Sequence, residues 1–170
     1  MDDSIYADGM DTLQLFAEWA WARHHNPWSW YIRPLFLVPY CYFAWRRNLF
    51  GVLITILALA SSMFWFPAPM NPDPKAVEFL KAERQYLLSP WNFTKVFFAV
   101  LVPLFFVLLG LAFWRRNILA GLAAVNLATI IKIGWSFYFA GHSGWTVVAP
   151  ALVGVVVINC VVLASAKLRG

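Results

Sequence analysis

A seven-residue stretch, Phe43-Ala44-Trp45-Arg46-Arg47-Asn48-Leu49, returns 69 positions later as Ala112-Phe113-Trp114-Arg115-Arg116-Asn117-Ile118. Pro34-Leu35-Phe36 matches Pro103-Leu104-Phe105 at the same offset, and Asn26-Pro27-Trp28-Ser29-Trp30 is echoed by Ser89-Pro90-Trp91-Asn92-Phe93. In each copy a long apolar run reaches a tight Trp-Arg-Arg-Asn turn and a second long apolar run follows. Two membrane-crossing helices joined by a short basic loop have this form. The chain is therefore expected to be a duplicated transmembrane hairpin with additions.

Composition excludes the alternatives. With 62% hydrophobic and 12% charged residues and a mean hydropathy of +0.66, the chain cannot be a soluble globule. Ten Trp, fifteen Phe and six Tyr exceed what a small core needs and suit helices that cross two interfaces. The net charge of +5 does not indicate nucleic acid, because the basic residues sit at the ends of apolar runs and not along one polar face. Cys41 and Cys160 lie inside apolar runs with no metal-ligand spacing, and read as small buried hydrophobes. Met1 to Gly9 is acidic and polar, unlike a cleavable leader, so insertion is expected to rely on the spans themselves.

Taken in order, residues 1–27 form a tail and an amphipathic helix over 11–25, capped by Asp11 with Gln14 and stopped by Asn26-Pro27. At that length it lies in the interface and does not span. Residues 28–66 are the first hairpin, with spans Trp28–Trp45 and Leu49–Phe66, and Pro34 and Pro39 predict a kink in the first. Residues 67–90 are a Pro-rich loop and a polar helix from Asp73 to Leu88, with Pro74 in the first turn. Ala76, Leu80 and Leu87 form one face of that helix; Lys75, Glu78, Lys81 and Gln85 form the other. Residues 91–139 are the second hairpin, with spans Trp91–Trp114 and Ile118–Phe139; Ala120, Ala124 and Ala128 set small side chains on one face. A fifth span covers 145–166, and 167–170 is a basic tail. The fold class is thus all-α integral membrane: five helices as two parallel hairpins plus one, an interfacial helix, and a helix between the hairpins.

Arg46, Arg47, Arg115, Arg116, Lys167 and Arg169 occupy the tight turns and the C-terminus with no acid near them. The positive-inside rule puts these in the cytoplasm and the N-terminus outside, with all eight acids in outer segments. The expected location is a bacterial inner or plasma membrane.

At about 1.5 Å per residue, Arg33 lies about 8 Å below Trp28, Lys95 about 6 Å below Trp91, and Lys132 roughly 22 Å above the inner turn. These three, with His142, are candidates for an anion or lipid-headgroup site at the outer leaflet; the competing reading is that long cations snorkel to the interface without a ligand. His24, His25 and His142 are the chain's histidines and its candidate metal ligands, although solvated interface imidazoles are the simpler reading. Asn126 near midplane is expected to hydrogen-bond between helices. No nucleophile stands beside a base, and no paired carboxylates or phosphate-cradling glycine loop occur, so no catalytic residue and no cofactor is assigned.

The expected function is non-enzymatic: an accessory or assembly subunit of a membrane complex, or a homo-oligomer, with the bilayer and other membrane subunits or itself as partners. The alternative is a small transporter, channel or lipid-binding protein that uses the outer cations. A membrane enzyme built on the interface histidines stands third.

Overall fold

The computed structural model describes residues 3–167, with side chains from Thr12 onward. Asp2, Arg169 and the Asp11 side chain expected to cap the first helix lie outside those described residues. The protein is all-helical, 85% helix. Its α-helices are α1 (Asp3–His24), α2 (Trp28–Leu35), α3 (Leu37–Trp45), α4 (Leu49–Ser61), α5 (Pro74–Leu88), α6 (Phe93–Trp114), α7 (Ile118–Ala140) and α8 (Trp145–Lys167), with 3-10 turns at Ser62–Phe64 and Gly141–Gly144. Helix α1 runs further toward the N-terminus than the capping pattern predicted, and a lone Gly9 is tolerated within it at about 1 kcal/mol.

Prolines divide the stretch before the first turn. Pro39 has no N–H to offer the Leu35 carbonyl, and the helix breaks at Phe36, whose own N–H bonds back to Arg33 O at 3.1 Å. The expected kink is a junction between two short helices.

The two Trp-Arg-Arg-Asn turns share one backbone geometry. Helix α3 ends with the Arg47 N–H on Ala44 O (3.0 Å) and the Asn48 N–H on Phe43 O (2.9 Å); α6 ends with Arg116 N–H on Phe113 O (2.9 Å) and Asn117 N–H on Ala112 O (2.8 Å). Both are Schellman closures. The left-handed position that glycine ordinarily takes is held by arginine in each, at φ 54° for Arg47 and 60° for Arg116. Asn48 and Asn117 then cap α4 and α7, their Oδ1 atoms accepting from Gly51 N and Ala120 N at 3.0 Å each. The turns are neighbours: Arg47 Nε donates to Trp114 O at 3.3 Å, and the Arg116 guanidinium lies 5.7 Å from the centre of the Trp45 ring.

Helices α6, α7 and α8 pack in succession, and the α2–α3 pair closes the ring, with α2 on α8 and α3 on α6. Tyr40, Cys41, Ala44, Leu109, Phe113, Val125, Ile158 and Val162 fill its core. Tyr40 OH donates to Phe106 O at 2.6 Å across α3 and α6. Gly154 of α8 lies so close to Pro34 that a Cβ there would overlap the proline ring. Asn126 Nδ2 donates to Asn159 Oδ1 at 3.1 Å, joining α7 to α8. Helix α4 stands outside this ring against α3, with Leu49, Phe50, Leu53, Ile54 and Leu57 exposed.

At the end opposite the arginine turns, α1 and α5 cover the bundle. Arg23 Nη1 donates to Phe64 O (3.2 Å) and Phe66 O (3.3 Å), and Asn26 Nδ2 to Pro67 O (2.9 Å), fixing α1 to the carbonyls that end the α4 segment. Helix α5 starts from Asp73, which accepts from Lys75 N at 2.8 Å, and docks through Ala76 and Leu80 onto Trp30, with Trp21 and Phe79 beside them.

Candidate functional site

Three ionisable side chains from three helices meet at this end, His24 of α1, Arg33 of α2 and Glu83 of α5, and the exposed Lys132 of α7 lies within electrostatic reach of them. Trp30 holds the first of them in place. Its Nε1–H donates to the His24 carbonyl at 2.9 Å inside the protein, and its ring lies 5.9 Å from the imidazole. His24 is buried, with 7% of its surface exposed.

The hydrogen bonds assign the imidazole's tautomer. Arg33 Nη2 approaches His24 Nδ1 at 3.3 Å, and a guanidinium can only donate, so Nδ1 is the acceptor and the ring proton sits on Nε2. Nε2 faces Glu83 Oε2 at 3.8 Å. That separation is too long for a hydrogen bond, and the pair is not ionic, because burial first, then the charges of Arg33, His25 and Lys132, pushes the imidazole down from 6.5 to about 3. For Glu83 burial pushes the carboxyl up from its ordinary 4.5, against the pull of Lys132 and Arg33. With 40% of its side chain open, water screens much of that effect. With Glu83 ionised and Arg33 and Lys132 charged, two cations stand near one carboxylate and a neutral imidazole, which leaves the cluster one positive charge in excess.

Of the cations expected at this level, Arg33 reaches His24, the exposed Lys132 stays within electrostatic reach of Arg33 and Glu83, and Lys95 joins neither. Lys95 is 2% exposed, and its Nζ donates to Leu87 O at 2.7 Å and Ser89 O at 2.6 Å. It closes the C-terminal end of α5, between the rings of Tyr86 and Trp91 at 5.3 and 4.8 Å. His142 is exposed in the Gly141–Gly144 turn, and His25 donates through Nδ1 to Trp21 O at 2.9 Å. The three histidines thus take up separate positions, and among the described residues no three His, Cys, Asp or Glu side chains gather as a metal site. Cys41 and Cys160 are free thiols, the first buried and the second exposed.

Sequence reasoning missed Glu83, although a signal was present. Ala76, Leu80, Glu83 and Leu87 follow a four-three-four spacing, so the carboxylate stands in the apolar stripe by which α5 docks.

Comparison with known protein families, with curated proteins and with solved structures finds no match to this chain.

Proposed function

We propose that this is a non-enzymatic integral membrane protein that works through packing, as an accessory or assembly subunit of a membrane complex or as a homo-oligomer. In this reading α2–α3, α4, α6, α7 and α8 are five spans, the N-terminus is outside, and the matching turns mark a duplicated hairpin. Two stretches, Phe93–Trp114 and Ile118–Lys167, are long and apolar enough to cross a bilayer, with mean hydropathies of 2.9 and 2.7 in their most apolar windows. Only 11% of the most apolar window of α6 is buried inside the molecule, whereas the core helix of a soluble protein is mostly covered. The apolar faces of α4 and α6 then meet lipid or another protein.

The observation that carries the packing reading is that two cations of the expected outer site are engaged within the chain: Lys95 on two carbonyls and Arg33 on His24. The surplus positive charge of the His24–Glu83 cluster favours one second reading, an anionic headgroup held at Arg33 and Lys132. Arg33→Ala, Lys132→Ala and Lys95→Ala separate the two. For packing, native mass spectra from mild detergent keep oligomers or bound subunits in the wild type and show unchanged anion and lipid retention in all three variants. Lys95→Ala also loses stability, by about 1.5–3 kcal/mol for a charged hydrogen-bond donor. Anion or lipid loss confined to Arg33→Ala and Lys132→Ala would select the headgroup reading, and a strictly monomeric wild type would sink the packing one.

A further inference from the structure

We propose that the two Trp-Arg-Arg-Asn turns together form a binding site for the phosphate of an anionic glycerophospholipid, with an acyl chain laid in the apolar groove alongside. The proposal rests on the membrane reading above and concerns the end of the bundle opposite the His24–Glu83 cluster.

A cavity of about 440 Å³ opens between the turns, lined by Trp45, Arg46, Arg47 and Arg116. Both turns contribute to it, so neither hairpin builds it alone. Three arginines lining one space suit a phosphate, since each guanidinium can present a planar fork of donors to paired oxygens. Arg47 and Arg116 occupy left-handed backbone that ordinarily favours glycine, and retaining a long cation at both positions spends conformational energy on side-chain placement. Helices α4 and α7 begin at the same turns with no acidic residue in their first turns, so two positive helix ends add to the field.

That charge has no counterpart within the protein. Every Asp and Glu of the chain falls at positions 2, 3, 8, 11, 18, 73, 78 or 83, in the tail, α1, and the start and body of α5. Among the described residues no carboxylate lies within ion-pair distance of Arg46, Arg47, Arg115 or Arg116. The balancing anion comes from outside the chain.

A second cavity of about 550 Å³ distinguishes a lipid from a free phosphate. It is an apolar groove lined among others by Tyr42, Trp45, Phe113, Ile158 and Val161. Trp45 lines both spaces, so the groove along α3 and α8 borders the arginine cavity. Both volumes fall in the range of small-molecule sites. A headgroup phosphate fits the first and hydrocarbon the second, whereas a soluble phosphate would use the first alone.

The test reconstitutes the full chain in nanodiscs of equimolar phosphatidylglycerol and phosphatidylcholine and counts lipids retained in native mass spectra. The wild type is expected to keep phosphatidylglycerol in preference. Arg46→Ala, Arg47→Gly and Arg116→Gly should each weaken that retention about fivefold, the factor equivalent to about 1 kcal/mol per near-surface cation. The glycine changes remove the guanidinium without straining the positive-φ backbone, which protects folding. Arg115→Ala removes the same charge from the same end without touching the cavity and should leave retention unchanged. Equal losses in all four variants would reduce the effect to diffuse surface potential and overturn the site, as would no preference in the wild type. Val161→Trp fills the groove from its open side, where Val161 is 40% exposed, and should lower phosphatidylglycerol retention. Unchanged retention in that variant, with inorganic pyrophosphate binding to lipid-free micelles in an Arg116-dependent way, would replace the lipid by a soluble phosphate and overturn the lipid assignment. Failure to enter nanodiscs of either lipid alone would sink the membrane reading itself; entry without preference sinks this site and leaves that reading intact.

Discussion

His24 gives the protein a pH dependence whose sign follows from its surroundings. Its pKa falls on folding from 6.5 to about 3, so the unfolded chain takes up this proton first. The stability tied to a neutral, buried His24 is complete above 6.5 and is lost as pH falls from 6.5 toward 3, at up to about 1.4 kcal/mol per pH unit. Glu83 acts in the opposite sense: its raised carboxyl favours folding below 4.5 and loses that contribution as pH rises above it. The two oppose each other just above 4.5, and below 4.5 His24 acts without that opposition. Thermal unfolding in detergent should therefore show His24→Gln flattening the acid limb relative to wild type, most clearly below 4.5. A parallel pair of curves would mean that the imidazole is charged or exposed in the folded state. Counting along the spans from Trp28, Trp91 and the inner turn predicts one level for Arg33, Lys95 and Lys132. Counting does not carry direction around the helix axis, and direction sends Lys95 to the carbonyls of Leu87 and Ser89 while Arg33 turns to His24.

Helix junctions were more legible than helix faces. The break between Pro34 and Pro39 and the Asp73-Pro74 start are local chemistry that residue type announces. The left-handed arginines are not, since glycine is the usual occupant of that position. Nor does the sequence announce the meeting of Gly154 with Pro34, where two elements far apart in the chain approach within a side chain's thickness. Gly154→Ala should force α8 away from α2 and cost about 1–3 kcal/mol, as overpacking does. Gly134→Ala is the matched control, because an added Cβ there meets nothing within 4 Å, and helix propensity alone predicts a gain of up to about 1 kcal/mol. Guanidine or thermal unfolding in micelles measures both. If the two variants respond alike, the α2–α8 contact does not contribute to stability.

At the scale of the molecule, the all-helical class follows from composition and from the length of the apolar runs. The packing order does not, because a helix apolar on every side gives no pattern that separates its packed face from its free one: in α6, Leu109 and Phe113 are buried while Val107 and Leu108 are exposed. Charge asymmetry survives this loss of pattern, and it predicts orientation. The exposed Glu78 of α5 and the exposed Arg115 of the second turn lie at opposite ends of the bundle. In a background with Cys41 and Cys160 replaced by alanine, a cysteine at Glu78 should react with a membrane-impermeant maleimide added to intact cells. A cysteine at Arg115 should react only after lysis, because basic turns are retained on the cytoplasmic side. The choice of Arg115 spares the Asn117 cap and the arginines that line the cavity, so a change in labelling reports sidedness and not a loosened turn. The reverse pattern would invert the orientation and move the arginine cavity to the outer leaflet. Labelling of both positions in intact cells would require an even number of crossings between them, which is incompatible with α6 as the one span that separates α5 from the second turn.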